Sequence, residues 1–91
     1  MGTIEGMRII ELNFLYELFA LCGYDTSREY NVYEIGRGCG CSMNETKQIT
    51  EKLSSLDFVQ NNRGFNEVSI TQKGIDLMKS ETTVEYSTFT Y

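Results

Sequence analysis

Ser42-Met43-Asn44-Glu45 runs straight into an apolar repeat, and no other stretch of this 91-residue chain restricts its fold as tightly. A serine hydroxyl at a helix N-cap accepts from the amide three residues on, and a glutamate at that third position reaches back to the serine amide. Two donors that a helix start leaves unpaired are satisfied at once. Thr46, Ile49, Leu53 and Leu56 then recur at three- and four-residue spacing, which predicts an amphipathic helix with one buried stripe. Asn44, Lys47, Gln48, Glu51, Ser54 and Ser55 fall on the opposite side. Amides, hydroxyls and an ammonium group on an outward face can meet base edges and phosphates. Any solvated helix shows a similar face, so its composition decides little alone.

The flanks narrow the choice. Asn31 followed by Glu34 is a second capping-box-like start, and Val32, Ile35 and Cys39 face inward from the helix it opens. Gly36 stands where two consecutive helices would cross closely. Gly36 and Gly38 each cost about 1 kcal/mol against alanine in a helix interior, which predicts a short helix that frays easily. Beyond the central helix, Phe58–Asn62 and Glu67–Thr71 read as a β-hairpin with Val68 and Ile70 on one face. Asn62-Arg63-Gly64 forms its tip. Thr71 caps a final short helix that ends near Ser80.

Glu34-Ile35-Gly36-Arg37-Gly38-Cys39-Gly40-Cys41-Ser42 has the order apolar, small, two open positions, apolar, turn glycine, apolar, serine. Ile70-Thr71-Gln72-Lys73-Gly74-Ile75-Asp76-Leu77-Met78 is close to an L-T-x-K-G-x-x-L ending. With the capped helix and hairpin between them, these segments resemble winged-helix regulators of the MarR, PadR and ArsR type. The resemblance covers Asn31–Met78 well and Met7–Cys22 loosely. It implies an α+β winged helix-turn-helix: a three-helix core, a two-stranded wing, a short fourth helix and an extended C-terminal tail. A short first strand is expected at Arg28–Tyr30.

The implied function is sequence-specific duplex DNA binding by a small transcriptional regulator, with the capped helix in the major groove and the wing against the minor groove or backbone. The candidate contacts are Arg37 at the end of the second helix, Asn44, Lys47, Gln48 and Glu51 on the recognition helix, Lys52 toward phosphate, and Arg63 at the wing tip. Each has a plain alternative as a solvated surface group, and Glu45 and Glu51 repel phosphate locally.

Met7 to Cys22 is apolar almost all round. Met7, Ile10, Phe14, Leu18 and Leu21 form one stripe, and Ile9, Leu12, Tyr16 and Phe19 form another about half a turn away. One face suffices for a core this small, so the second predicts a homodimer through the Met7–Cys22 helix. The alternative is that the C-terminal tail covers it within the monomer. Gly23 ends the helix as a left-handed C′ residue. Thr82–Tyr91 is extended by propensity and reads as a dimerisation arm or strand laid across a partner, the alternative being a loose tail. Residues 1–6, ahead of a second methionine, read as an added leader, which leaves 7–80 as the domain and 81–91 as its tail.

The net charge of −5 opposes DNA binding, since phosphate attraction supplies most non-specific affinity. Its distribution relieves the conflict: six of the eight cations lie in residues 37–79, against five acids there. No apolar run approaches the roughly 20 residues of a bilayer span, and no secretory signal is visible, so the expectation is cytoplasmic with no membrane.

With no histidine and no phosphate-cradling loop after a strand, no enzymatic constellation emerges and no cofactor is expected. Cys39-Gly40-Cys41 with Cys22 leaves three readings open: core packing, a disulfide or thiol switch, or a thiolate metal site. Some ArsR-type sensors bind soft metals through such a pair early in the first helix of the motif; here it lies at the helix end and across the turn. Two rivals to a plain DNA-binding regulator therefore stand: a winged helix that binds proteins instead of DNA, and a thiol-responsive regulator.

Overall fold

A computed structural model describes residues 7–62 and 66–80. Its elements are α1 (Ile9–Cys22), β1 (Tyr30–Asn31), α2 (Val32–Gly38), α3 (Met43–Ser55), β2 (Val59–Asn62), β3 (Glu67–Ile70) and α4 (residues 72–80). Among the described residues this is an α+β fold of four helices and one antiparallel sheet of order β1-β3-β2. Such an arrangement is compatible with a winged helix and not peculiar to it. The hairpin pairs Val59 with Ile70 and Asn62 with Glu67, and β1 pairs Tyr30 with Val68.

The first strand begins two residues and ends one residue later than expected, and Asn31 both ends β1 and caps α2. Its side-chain oxygen accepts from the amides of Tyr33 at 2.9 Å and Glu34 at 3.2 Å. The Ser42 box closes in both directions: the Glu45 amide donates to the serine hydroxyl at 3.1 Å, and the Ser42 amide donates to the Glu45 carboxylate at 2.9 Å.

Between the two caps, the turn from α2 to α3 is a Schellman motif. Cys41 N–H donates to Gly36 O at 2.8 Å and Gly40 N–H to Arg37 O at 3.1 Å, with Gly40 at φ 78°. Gly36 permits the close crossing, since a Cβ there would run into the Thr46 side chain.

The same device ends α3. Phe58 N–H donates to Leu53 O and Asp57 N–H to Ser54 O, both at 3.0 Å, with Asp57 in the left-handed region at φ 67°. The Thr-x-Lys-Gly ending then locks α4 onto this corner. The Thr71 hydroxyl donates to Asp57 O at 2.6 Å and accepts from Gly74 N–H at 3.1 Å. Lys73 donates to Leu56 O at 3.1 Å and lies 5.2 Å from the centre of the Phe58 ring. Gly74 has no room for a side chain, because a Cβ would meet the Phe58 carbonyl. All three motif residues therefore have structural duties at the end of α3.

The core gathers Phe14, Leu15 and Leu18 of α1, Ile35 of α2, Ile49 and Leu53 of α3, Val59, Val68 and Ile70 of the sheet, and Ile75 and Met78 of α4. Each such side chain contributes about 1.5–3 kcal/mol by leaving water. The inward face of α1 differs from the expected stripe. Leu15 is fully buried, and Leu21 turns to solvent. Ser69 is also buried, although alternation along β3 places it opposite Val68 and Ile70.

Gly23 ends α1 at φ 61° and ψ −129°, a glycine conformation outside the left-handed helical well expected for it. The tip residues Arg63 and Gly64 and the tail from 81 onward lie outside the described residues. Among the described residues, no helix is long and apolar enough to cross a membrane.

Candidate nucleic-acid interface

Once the cap and the core stripe of α3 are set, its outward face follows. Thr46, Ile49, Thr50 and Leu53 are buried, so Asn44, Lys47, Gln48 and Glu51 are held in solvent. Thr50 was not legible as a core residue. It hides its polarity locally, because its hydroxyl donates to the Thr46 carbonyl at 2.8 Å. Glu45 is occupied by its cap. The cationic side chain of this face is thus Lys47, with Glu51 one turn further on.

Lys47 and Glu51 border a cleft of about 350 Å³ that runs from α3 to the base of the hairpin. Tyr33, Asn61 and Asn66 line its other walls. Asn66 is fixed there by a left-handed backbone at φ 55° and by its carbonyl, which accepts from Val32 N–H at 2.9 Å. On the other side of Tyr33, Arg37 borders a second open cleft of about 300 Å³ with Cys41, Met43 and Thr46. Arg37 is exposed in the last turn of α2, where a cation is favoured by the helix dipole.

Met43 stands at the first position of α3 with 69% of its surface exposed. Tyr33, Met43, Asn61 and Asn66 were absent from the sequence-based set. Met43, next to the cap, had a local signal; the other three depend on how the hairpin folds back on α2 and α3.

Lys52 lies elsewhere. Its ammonium is 3.6 Å from the Glu11 carboxylate, and only about 3% of the Glu11 side chain is exposed. The Arg8 amide donates to the same carboxylate at 2.8 Å and the Arg8 guanidinium at 3.1 Å. Burial alone pushes the Glu11 carboxyl up, but the Arg8 hydrogen bonds and the Lys52 and Arg8 charges outweigh it and hold it below its ordinary 4.5. Lys52 therefore ties α3 to the start of α1. Of the expected contacts, Asn44, Lys47, Gln48 and Glu51 share one exposed face, Arg37 sits beside it, Lys52 faces α1, and Arg63 is outside the described residues.

The three cysteines are free thiols in two places. Cys22 is buried at the end of α1, its sulfur 3.9 Å from Arg28 O. Cys39 and Cys41 are half-buried at the α2–α3 turn and pack against the core, less deeply than the fully inward position expected for Cys39. Burial pushes all three thiols up, reinforced at Cys39 by Cys41 and Glu17 and at Cys41 by Glu45. A raised thiol is a poor nucleophile and a poor metal ligand at neutral pH. Among the described residues, no group of three or more cysteine, aspartate or glutamate side chains is placed to hold a metal ion, so Cys22 does not join the other two as a third ligand.

No family model matches the chain, and no curated protein or solved structure matches it either.

Proposed function

We propose that the chain is a winged-helix protein that binds duplex DNA sequence-specifically as a small transcriptional regulator. α3 enters the major groove, and the β2–β3 hairpin with Arg63 at its tip is the wing that meets the adjacent backbone or minor groove. One observation carries this reading: a doubly capped α3 anchored by four buried residues holds Asn44, Lys47 and Gln48 outward in its first two turns. That is where a docked helix reaches base edges, and amide and ammonium groups suit adenine and guanine edges. Arg37 flanks the same face and is placed to meet phosphate. DNA contact by α3 does not depend on what covers the outer face of α1; a homodimer through that helix would present two recognition helices.

A second reading, a winged helix that binds another protein, is favoured by Glu51 on the same face and by the net charge of −5. Selection from a pool of randomised duplexes tests the first reading. It should enrich one short motif, and Gln48→Ala should blur that motif at a single base position. Recovery of duplexes with no common motif would contradict sequence-specific binding.

A further inference from the structure

We propose that Met43 reads the 5-methyl group of a thymine in the major groove, a contact that rests on the DNA reading of α3 and names a base it takes. Among the described residues, the large apolar side chains that face solvent are Ile9, Tyr16, Leu21, Tyr24 and Met43. The first four belong to α1 or follow it directly, and Met43 alone stands on α3. It is the first residue of that helix and 69% exposed, so the core does not use its side chain. The Ser42–Glu45 cap does not use it either, because both of its bonds run between those two residues. Lys47 follows Met43 one turn on, and Asn44 is the next residue. A recognition helix presents such N-terminal residues to base edges.

Asn44, Lys47 and Gln48 answer the hydrogen-bonding groups of those edges. The thymine methyl is the apolar group displayed among them. An unbranched, polarizable thioether adapts its shape to cover it.

The cleft beside Met43 supplies a second argument. Its volume of about 300 Å³ is bounded by Tyr33, Cys41 and Thr46, with Arg37 and Met43 as its exposed walls. Thr46 is buried and Tyr33 and Cys41 are half-buried, so the packing of α2 on α3 fixes the floor. A thymidine nucleotide in a duplex presents a matching pair of groups, since its methyl points toward the backbone of its own strand. Arg37 meets the phosphate and Met43 the methyl. Among the described residues no carboxylate lines this cleft, whereas Glu51 lines the one on the other side of Tyr33.

The test uses the full chain and a duplex carrying the motif it selects. Each thymine is replaced in turn by deoxyuridine, which removes the methyl and leaves every hydrogen-bonding group in place. Binding is followed by fluorescence anisotropy. Wild type should weaken about fourfold at one thymine of the motif, the worth of one buried methyl-sized group. Met43→Ser should bind the thymine and uracil duplexes equally at that position, and Met43→Leu should keep the preference. Specific binding by wild type that no deoxyuridine weakens would overturn the contact and leave the DNA reading standing. A motif without thymine, or a preference unchanged in Met43→Ser, would do the same. Absence of binding to any duplex would overturn both.

Discussion

Glu11 carries the only carboxylate among the described residues that is both deeply buried and paired with two cations. Its folded-state pKa lies below 4.5, so its contribution to stability is present above that value and lost as pH falls through the lower folded value. Glu11→Gln should therefore cost about 1–2 kcal/mol at pH 7, less than a fully buried pair, because Arg8 and Lys52 keep contact with water. The difference from wild type should shrink as pH falls below the ordinary carboxylate range, as followed by urea unfolding at pH 7 and at successively lower pH. Its bonds to Arg8, three residues earlier, are local, but nothing local in the sequence marks its burial. Its partner Lys52 is on another helix, and a glutamate inside an apolar run looks solvated until the packing is known.

Caps behave in the opposite way, because both halves of the bond lie within four residues. Ser42, Glu45, Asn31 and Gly40 were all readable for that reason. Asp57 was not, since a left-handed aspartate is chemically indistinguishable from a solvated one. Asp57→Gly should stabilise the fold by about 0.5 kcal/mol and Asp57→Val should destabilise it, both measured by thermal unfolding.

At the level of elements, the α2–α3 crossing is the most demanding contact. Gly36→Ala would press a methyl into Thr46 and should cost about 1–3 kcal/mol. Combining it with Thr46→Ala should cost less than the two single changes added, because the second removes the atoms that the first strikes. Additive losses in urea denaturation would show that the two helices do not meet there. The hairpin was legible to within a residue because period-two alternation and the polar tip agree.

α1 was legible as a helix and as a two-faced one, and its stripe of Met7, Ile10, Phe14 and Leu18 does turn to the core, but Leu15 joins that face and Leu21 leaves it. When nearly every position is apolar, periodicity gives no phase. Only contact with α2, α3 and the sheet selects Phe14, Leu15 and Leu18. Likewise the Thr-x-Lys-Gly ending was recognisable as a pattern, but its task became visible only with the α3 corner against it. Lys73→Ala should cost about 1 kcal/mol by removing the bond to Leu56 O.

Across the whole molecule, the question is how an acidic protein would hold DNA. The outward side of α3 offers Lys47 with Arg37 nearby, while Lys52 is engaged with Glu11. On the proposed reading, few phosphate contacts would give modest affinity with a shallow salt dependence, and most of the discrimination would come from Asn44, Gln48 and Lys47 at base edges. The candidate face could be anticipated because one cap and one stripe fix the rotation of α3. The clefts on either side of Tyr33 could not, because they arise where three separated segments converge.

The most direct measurement is fluorescence anisotropy of a labelled duplex titrated with wild type and with Lys47→Ala/Arg63→Ala across a range of salt concentrations. Wild type should bind at low salt and weaken linearly on a logarithmic scale. The double variant should lose affinity at every salt and show a slope shallower by about one phosphate contact, that of Arg63. Equal binding and equal slope for the two proteins, or no binding by wild type at the lowest salt, would contradict DNA recognition by this face.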